Sequence, residues 1–152
     1  MFKVQAINDR LVSGVIAGMA GALAQNLYAL VAKLLGLTDI IYVDIAAAVL
    51  FHRNYPGWVA SVVGLAGHLV VDSFWGFCYA LIIEAGSSRY LYFKGAVFGM
   101  AIWFLIRVIG VQVLELPVFT GTSPVDALVY FFGGILFGLT ISYVLRLLQA
   151  SH

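Results

Sequence analysis

Four apolar runs, each long enough to cross a lipid bilayer, leave this chain little choice of architecture. They occupy residues 11–35, 58–83, 95–114 and 124–148, and each reaches the roughly 20 residues a membrane helix needs. Hydrocarbon offers the backbone no water to bond, so each run must satisfy its N–H and C=O groups internally, as a helix. Composition points the same way. Of 152 residues, 63% are hydrophobic and 10% charged, against roughly 25% charged in ordinary soluble domains. The expected fold is an all-α integral membrane protein, one membrane domain over 1–152, with four transmembrane helices and one short re-entrant or interfacial helix.

The lead-in over residues 1–10 is polar and mixed in charge. Lys3 and Arg10 before an apolar run imitate a signal peptide, but the run continues through Leu35, longer than a signal core, and is read as a spanning helix. Gly36 suits a helix C-cap, and Thr38 or Asp39 an N-cap for the next element. That element, over 39–52, has an apolar stretch of only about 12 residues, too short to span. Asp44 in its middle favours a surface-lying or cavity-lining helix. Residues 52–57 form a polar turn, and Trp58 is placed as an interface anchor. Residues 89–94 make a basic, tyrosine-rich loop. Ser123-Pro124-Val125-Asp126 reads as a helix start, with a serine N-cap, proline at the first position and an acid at the third.

Basic residues set the orientation. Lys3, Arg10, Arg89, Lys94 and Arg146 fall on one side, Lys33 and Arg53 on the other. An excess of Lys and Arg marks the cytoplasmic face, so both termini are expected there. A net charge of +1 argues against a nucleic-acid partner, which needs a concentrated basic patch. The single cysteine, Cys78, excludes a disulfide framework.

Three runs carry glycine pairs one helical turn apart: Gly14 and Gly18, Gly95 and Gly99, Gly134 and Gly138. Such pairs let backbones approach closely within the bilayer, inside the bundle or across a homo-oligomer seam. A homo-oligomer or a membrane-protein partner is expected on this ground. The stretch from Gly14 to Ala20 also resembles that from Gly95 to Ala101, which suggests a parallel repeat of two helix pairs. In that repeat Asn26 and Arg107 are equivalent, each eight residues after the second glycine.

Polar residues inside these runs are the functional candidates, because ionisable groups at membrane depth are costly. His68 and Asp72 stand one turn apart on one face of the second run. Counted along the helices, Asp72 lies roughly 16 Å from the cytoplasmic end and Arg107 roughly 18 Å. His68 and Asn26 both come out near 22 Å. The depths pair Asp72 with Arg107 and His68 with Asn26. Three readings follow. The cluster is a structural ion pair with hydrogen-bonding helpers, a proton or ion pathway, or a ligand or metal pocket recruiting Asp44 or His52. Gln25 is a secondary candidate beside Asn26. No dense metal-ligand spacing, nucleophile elbow or phosphate-binding glycine loop is present. No metal, cofactor or catalysis is therefore expected.

The order of these features resembles the YagU-like family of small bacterial inner-membrane proteins. The likeness rests on a glycine-spaced first helix, an intervening segment and a second helix carrying His68, Tyr79 and Glu84. A Gly95–Gly99 helix and a helix running from Phe132-Gly133 to Arg146 complete it. The family has a histidine where Arg107 stands here. The resemblance implies a bacterial inner membrane and names no substrate. The functional expectation is a proton, ion or small-solute pathway built on His68, Asp72 and Arg107. The alternative is a non-catalytic assembly or scaffold subunit in which the cluster only locks the bundle.

Overall fold

The computed structural model describes residues 10–51 and 57–150, and every regular element among them is helical. In chain order these are α1 (Arg10–Leu34), α2 (Tyr42–Phe51), α3 (Trp58–Ala85) and α4 (Leu91–Val108). A π-helical turn, Ile109–Val113, continues α4, and α5 (Pro117–Thr120) and α6 (Pro124–Ala150) follow. Four of these, α1, α3, α4 with its π turn, and α6, are long and apolar enough to cross a membrane. The end of the bundle where α1 begins is called the near end; α2 and α5 sit at the far end.

Local chemistry sets the boundaries. Gly36, at φ 72°, closes α1 with two 3.0 Å bonds, its own N–H to Lys33 O and the Leu37 N–H to Ala32 O. This is the left-handed cap that glycine adopts without a Cβ penalty. α2 starts later than Thr38 or Asp39. The Ile41 N–H is taken by Asp44 Oδ2 at 3.1 Å, while Thr38 Oγ1 bonds the Ile40 carbonyl and Tyr130 Oη, tying the loop to α6. α4 begins at Leu91, one turn before Gly95, because Tyr90 takes a left-handed φ of 60° and ends the loop there. Lys94 is thus helical, and its Nζ reaches back to Ser87 O at 2.6 Å. Ser123 and Asp126 exchange bonds as expected: the Asp126 N–H to Ser123 Oγ, and the Ser123 N–H to Asp126 Oδ2.

The glycine pairs are consumed inside the bundle. A Cβ on Gly18 would strike the Asp72 carbonyl, and one on Gly14 would lie 2.8 Å from the Gly76 carbonyl, so α1 packs on α3 at backbone contact. A Cβ on Gly99 would strike the Gly134 carbonyl, and one on Gly95 the Gly138 carbonyl, so α4 packs on α6 in the same way. The two pairs are therefore built alike. Gly76 corresponds to Gly138, Asp72 to Gly134, and, one turn further along, His68 to Tyr130. Each pair also has a short helix between its long ones, α2 in the first and α5 in the second. The structure thus extends the sequence likeness of α1 and α4 to α3 and α6.

The likeness fails at one place. α1 lies along α6, whereas the equivalent pair, α4 and α3, touches only sparingly. Side-chain size accounts for this. α1 offers Ala17 and Gly21 to α6, and a Cβ on Gly21 would lie 2.5 Å from the Phe137 ring. At the matching positions α4 carries Phe98 and Ile102. Phe98 meets Trp75 and Tyr79 of α3, with ring centroids 6.4 and 5.1 Å apart. This aromatic wedge holds α3 and α4 apart at the near half, and the far half of the gap stays open.

Candidate functional site

The open half is a chamber of about 290 Å³. α3 contributes Gly67, His68, Val71 and Asp72; α4 contributes Ile102, Trp103, Ile106 and Arg107. Tyr42 of α2, Gln25 of α1, and Tyr130, Gly134 and Phe137 of α6 form the inner walls. Gly110, Leu116 and Phe119 close the far end. α2 reaches this position because α3 is bare at Gly64, where a Cβ would strike the Val43 carbonyl.

His68 is held from three sides. Asn26 Nδ2 lies 2.9 Å from its Nδ1 and also donates to Ala22 O at 2.9 Å. The second bond fixes the amide orientation, since the flipped group would set Asn26 Oδ1 against a carbonyl oxygen. Nδ1 of His68 is therefore an acceptor, and the ring hydrogen sits on Nε2. Nε2 faces Asp72 Oδ2 at 3.5 Å. The Tyr42 ring stacks on the imidazole, centroids 5.3 Å apart at 23°, and its hydroxyl donates to Tyr130 O at 3.2 Å. Both His68 and Asp72 are buried, Asp72 to 5% exposure. Among the described residues Asp72 Oδ2 has no hydrogen-bond partner. A buried polar atom in that condition costs about 1–3 kcal/mol, more for a charged group.

The depth pairing of His68 with Asn26 is what forms. The pairing of Asp72 with Arg107 is not. Arg107 Nη2 donates to Thr122 Oγ1 at 2.9 Å, in the loop before α6, and Nη1 is buried without a partner. The expected ion pair is corrected for two physical reasons. α4 starts at Leu91, so Arg107 lies roughly 24 Å along it, against roughly 20 Å for Asp72 counted from Ala85. The wedge also separates the two helices, and a long side chain near a helix end extends toward the interface. Asp72 and Arg107 remain neighbours of one chamber, on facing helices.

The other sequence candidates are distributed as follows. Gln25 is buried, and its Nε2 donates to Gly133 O at 3.1 Å, fastening α1 to α6 beside the chamber. Asp44 lies away from the cluster. It pairs with Lys33 at 3.8 Å and borders a second hollow of about 190 Å³ with Ser61 and Val118. His52, Lys3 and Arg53 lie outside the described residues. Among the described residues no group of three His, Cys, Asp or Glu side chains is placed to hold a metal ion. Tyr42, Trp103 and Tyr130 were not singled out in the sequence. Aligning the second and fourth runs on Gly76 and Gly138 sets Tyr130 opposite His68 and is the signal that finds it.

Comparison with known proteins finds no family model matching the chain, and no curated protein or solved structure with significant similarity to it.

Proposed function

We propose that this membrane protein is a pathway for a proton or small solute, with the chamber as its mid-membrane station and Asp72 as the group that receives the traffic. One observation carries the reading: the chamber is lined by a buried carboxylate, Asp72, whose Oδ2 has no hydrogen bond among the described residues. A carboxylate serving only to lock helices is expected to be fully paired. His68 is a positioning residue. With Nδ1 committed to Asn26, its Nε2 stands 3.5 Å from Asp72 Oδ2, close enough to position the carboxylate beside the chamber without forming a hydrogen bond to it. Arg107 lines the facing wall of the chamber, with Nη1 unbonded. The surplus of Lys and Arg at the near end, with Arg89, Lys94 and Arg146, supports cytoplasmic termini. The resemblance to the YagU-like family supports a bacterial inner membrane.

A second reading, the scaffold subunit, draws on the three-sided clamping of His68 by Asn26, Asp72 and Tyr42. Liposomes enclosing a pH-sensitive dye separate the two under an imposed pH or ion gradient. The pathway reading expects wild-type flux above that of empty liposomes and at least a tenfold drop in Asp72→Asn. Background-level flux in both proteins, with a large loss of thermal stability in the variant, gives the scaffold instead.

A further inference from the structure

We infer that the chamber takes a lipid-soluble phenol or quinol: its ring lies inside, a ring hydroxyl donates to the Asp72 carboxylate, and a ring oxygen accepts from Arg107. The inference rests on the chamber as a solute site and names the class of molecule it admits.

Size comes first. An engineered cavity of about 150 Å³ takes benzene, so about 290 Å³ accommodates roughly twice that, a substituted ring of about a dozen non-hydrogen atoms. The mouth comes second. The lining residues exposed at the surface are Val49, Leu50, Val71, Ile109 and Leu114, all apolar. They belong to α2, α3, the π turn after α4 and the residue that ends it, at the seam that the aromatic wedge props open. A rim of this kind opens to hydrocarbon, so the solute arrives from the bilayer, and a permanently charged molecule would be turned away there. An apolar tail can remain in the lipid while the ring enters.

The interior comes third. Tyr42, Trp103, Phe119, Tyr130 and Phe137 present aromatic surface, which suits a flat ring. Among the side chains that line the chamber, the buried atoms left without a hydrogen bond are Asp72 Oδ2 and Arg107 Nη1, so the wall carries one carboxylate acceptor and one guanidinium donor that are incompletely bonded. An uncharged partner for both must carry a hydrogen to give and an oxygen lone pair to offer. A phenolic or quinolic ring has both, whereas an alkyl chain or plain arene has neither. An unmatched buried polar group in such a site is what separates a hydroxylated ligand from its deoxy analogue.

The test uses the full chain in phosphatidylcholine nanodiscs and 19F NMR of 2-fluoro-4-decylphenol. A saturable bound signal is expected, displaced by decylhydroquinone. 1-Decyl-4-fluorobenzene, with the same tail and no hydroxyl, should give no bound signal. Arg107→Gln and Asp72→Asn should each weaken phenol binding at least tenfold. Val71→Trp, which fills the mouth and leaves both polar side chains in the sequence, should abolish it. Should Asp72→Asn fail to fold, Arg107→Gln and Val71→Trp decide. A fluorophenol signal that never saturates, or an equal bound signal from the fluorobenzene, overturns the inference. Failure of the pathway reading is seen separately: bound phenol with background flux refutes passage and leaves the ligand class standing, and flux without bound phenol does the reverse.

Discussion

The side chains that define this protein's interior differ sharply in how completely they are bonded. Tyr79 is fully employed. Its hydroxyl donates to Leu91 O at 2.7 Å and contacts Ser142 Oγ at 2.9 Å, joining α3 to the start of α4 and to α6. Asp72 and Arg107 each keep an unbonded atom. Substitutions should therefore separate stability from function. Tyr79→Phe is expected to lower unfolding stability by about 1 kcal/mol, since a net protein hydrogen bond is worth roughly that, and to leave chamber binding unchanged. Thermal unfolding in detergent, read beside phenol binding, checks this. Asn26→Leu should do the opposite. It removes the donor that fixes the His68 tautomer, so flux through the chamber is expected to fall several-fold, while stability drops by only about 0.6 kcal/mol, the average for an interhelical bond in a membrane. A variant whose flux matches wild type would remove His68 from its positioning role.

At the level of elements, the glycine seams make the sharpest forecast. Gly138→Ala drives a methyl into the Gly95 carbonyl, which belongs to rigid backbone. The helices must separate, at a cost of about 1–3 kcal/mol for overpacking of this kind. Gly121→Ala is the control: its φ is −93° and the nearest atom would be 3.5 Å away, so the change should stay within about 0.5 kcal/mol. Comparing the two in denaturant or thermal melts checks the seam. These seams were legible in the sequence because small residues at one-turn spacing have few other uses in a bilayer. The four spans were legible for the same kind of reason, as apolar length has one solution there. What escaped was set by atoms no periodicity records. The left-handed Tyr90 moved the start of α4 by a turn, and with it the depth assigned to Arg107. Thr38 and Tyr130 found each other across the far end, and that contact, with Asp44 on the Ile41 N–H, delayed the start of α2.

The whole molecule is two similar helix pairs joined along two seams, one closed and one open. His68 was visible in the sequence as an anomaly, but the chamber beside it was not, because its existence depends on a difference between the seams. Ala17 and Gly21 let α1 close on α6; Phe98 holds α4 off α3, and Ile102 stands where α1 has Gly21. Making α4 resemble α1 should then shut the chamber. In Phe98→Ala with Ile102→Gly, α4 is expected to settle against α3, and phenol binding should be lost although Asp72 and Arg107 are intact. Stability gives an independent reading. A Phe→Ala change that leaves a void costs about 3–5 kcal/mol, whereas closure refills the space and should hold the loss well below that. Position gives a third. Val71 and Ile106 line opposite walls of the chamber, and they correspond to Gly133 and Gln25, which touch across the closed seam. With Cys78 replaced by serine, cysteines at 71 and 106 should cross-link readily in the closed variant and poorly in the wild-type background. Slow cross-linking in both, together with the full cavity penalty, would show that the wedge fills the seam without controlling its width.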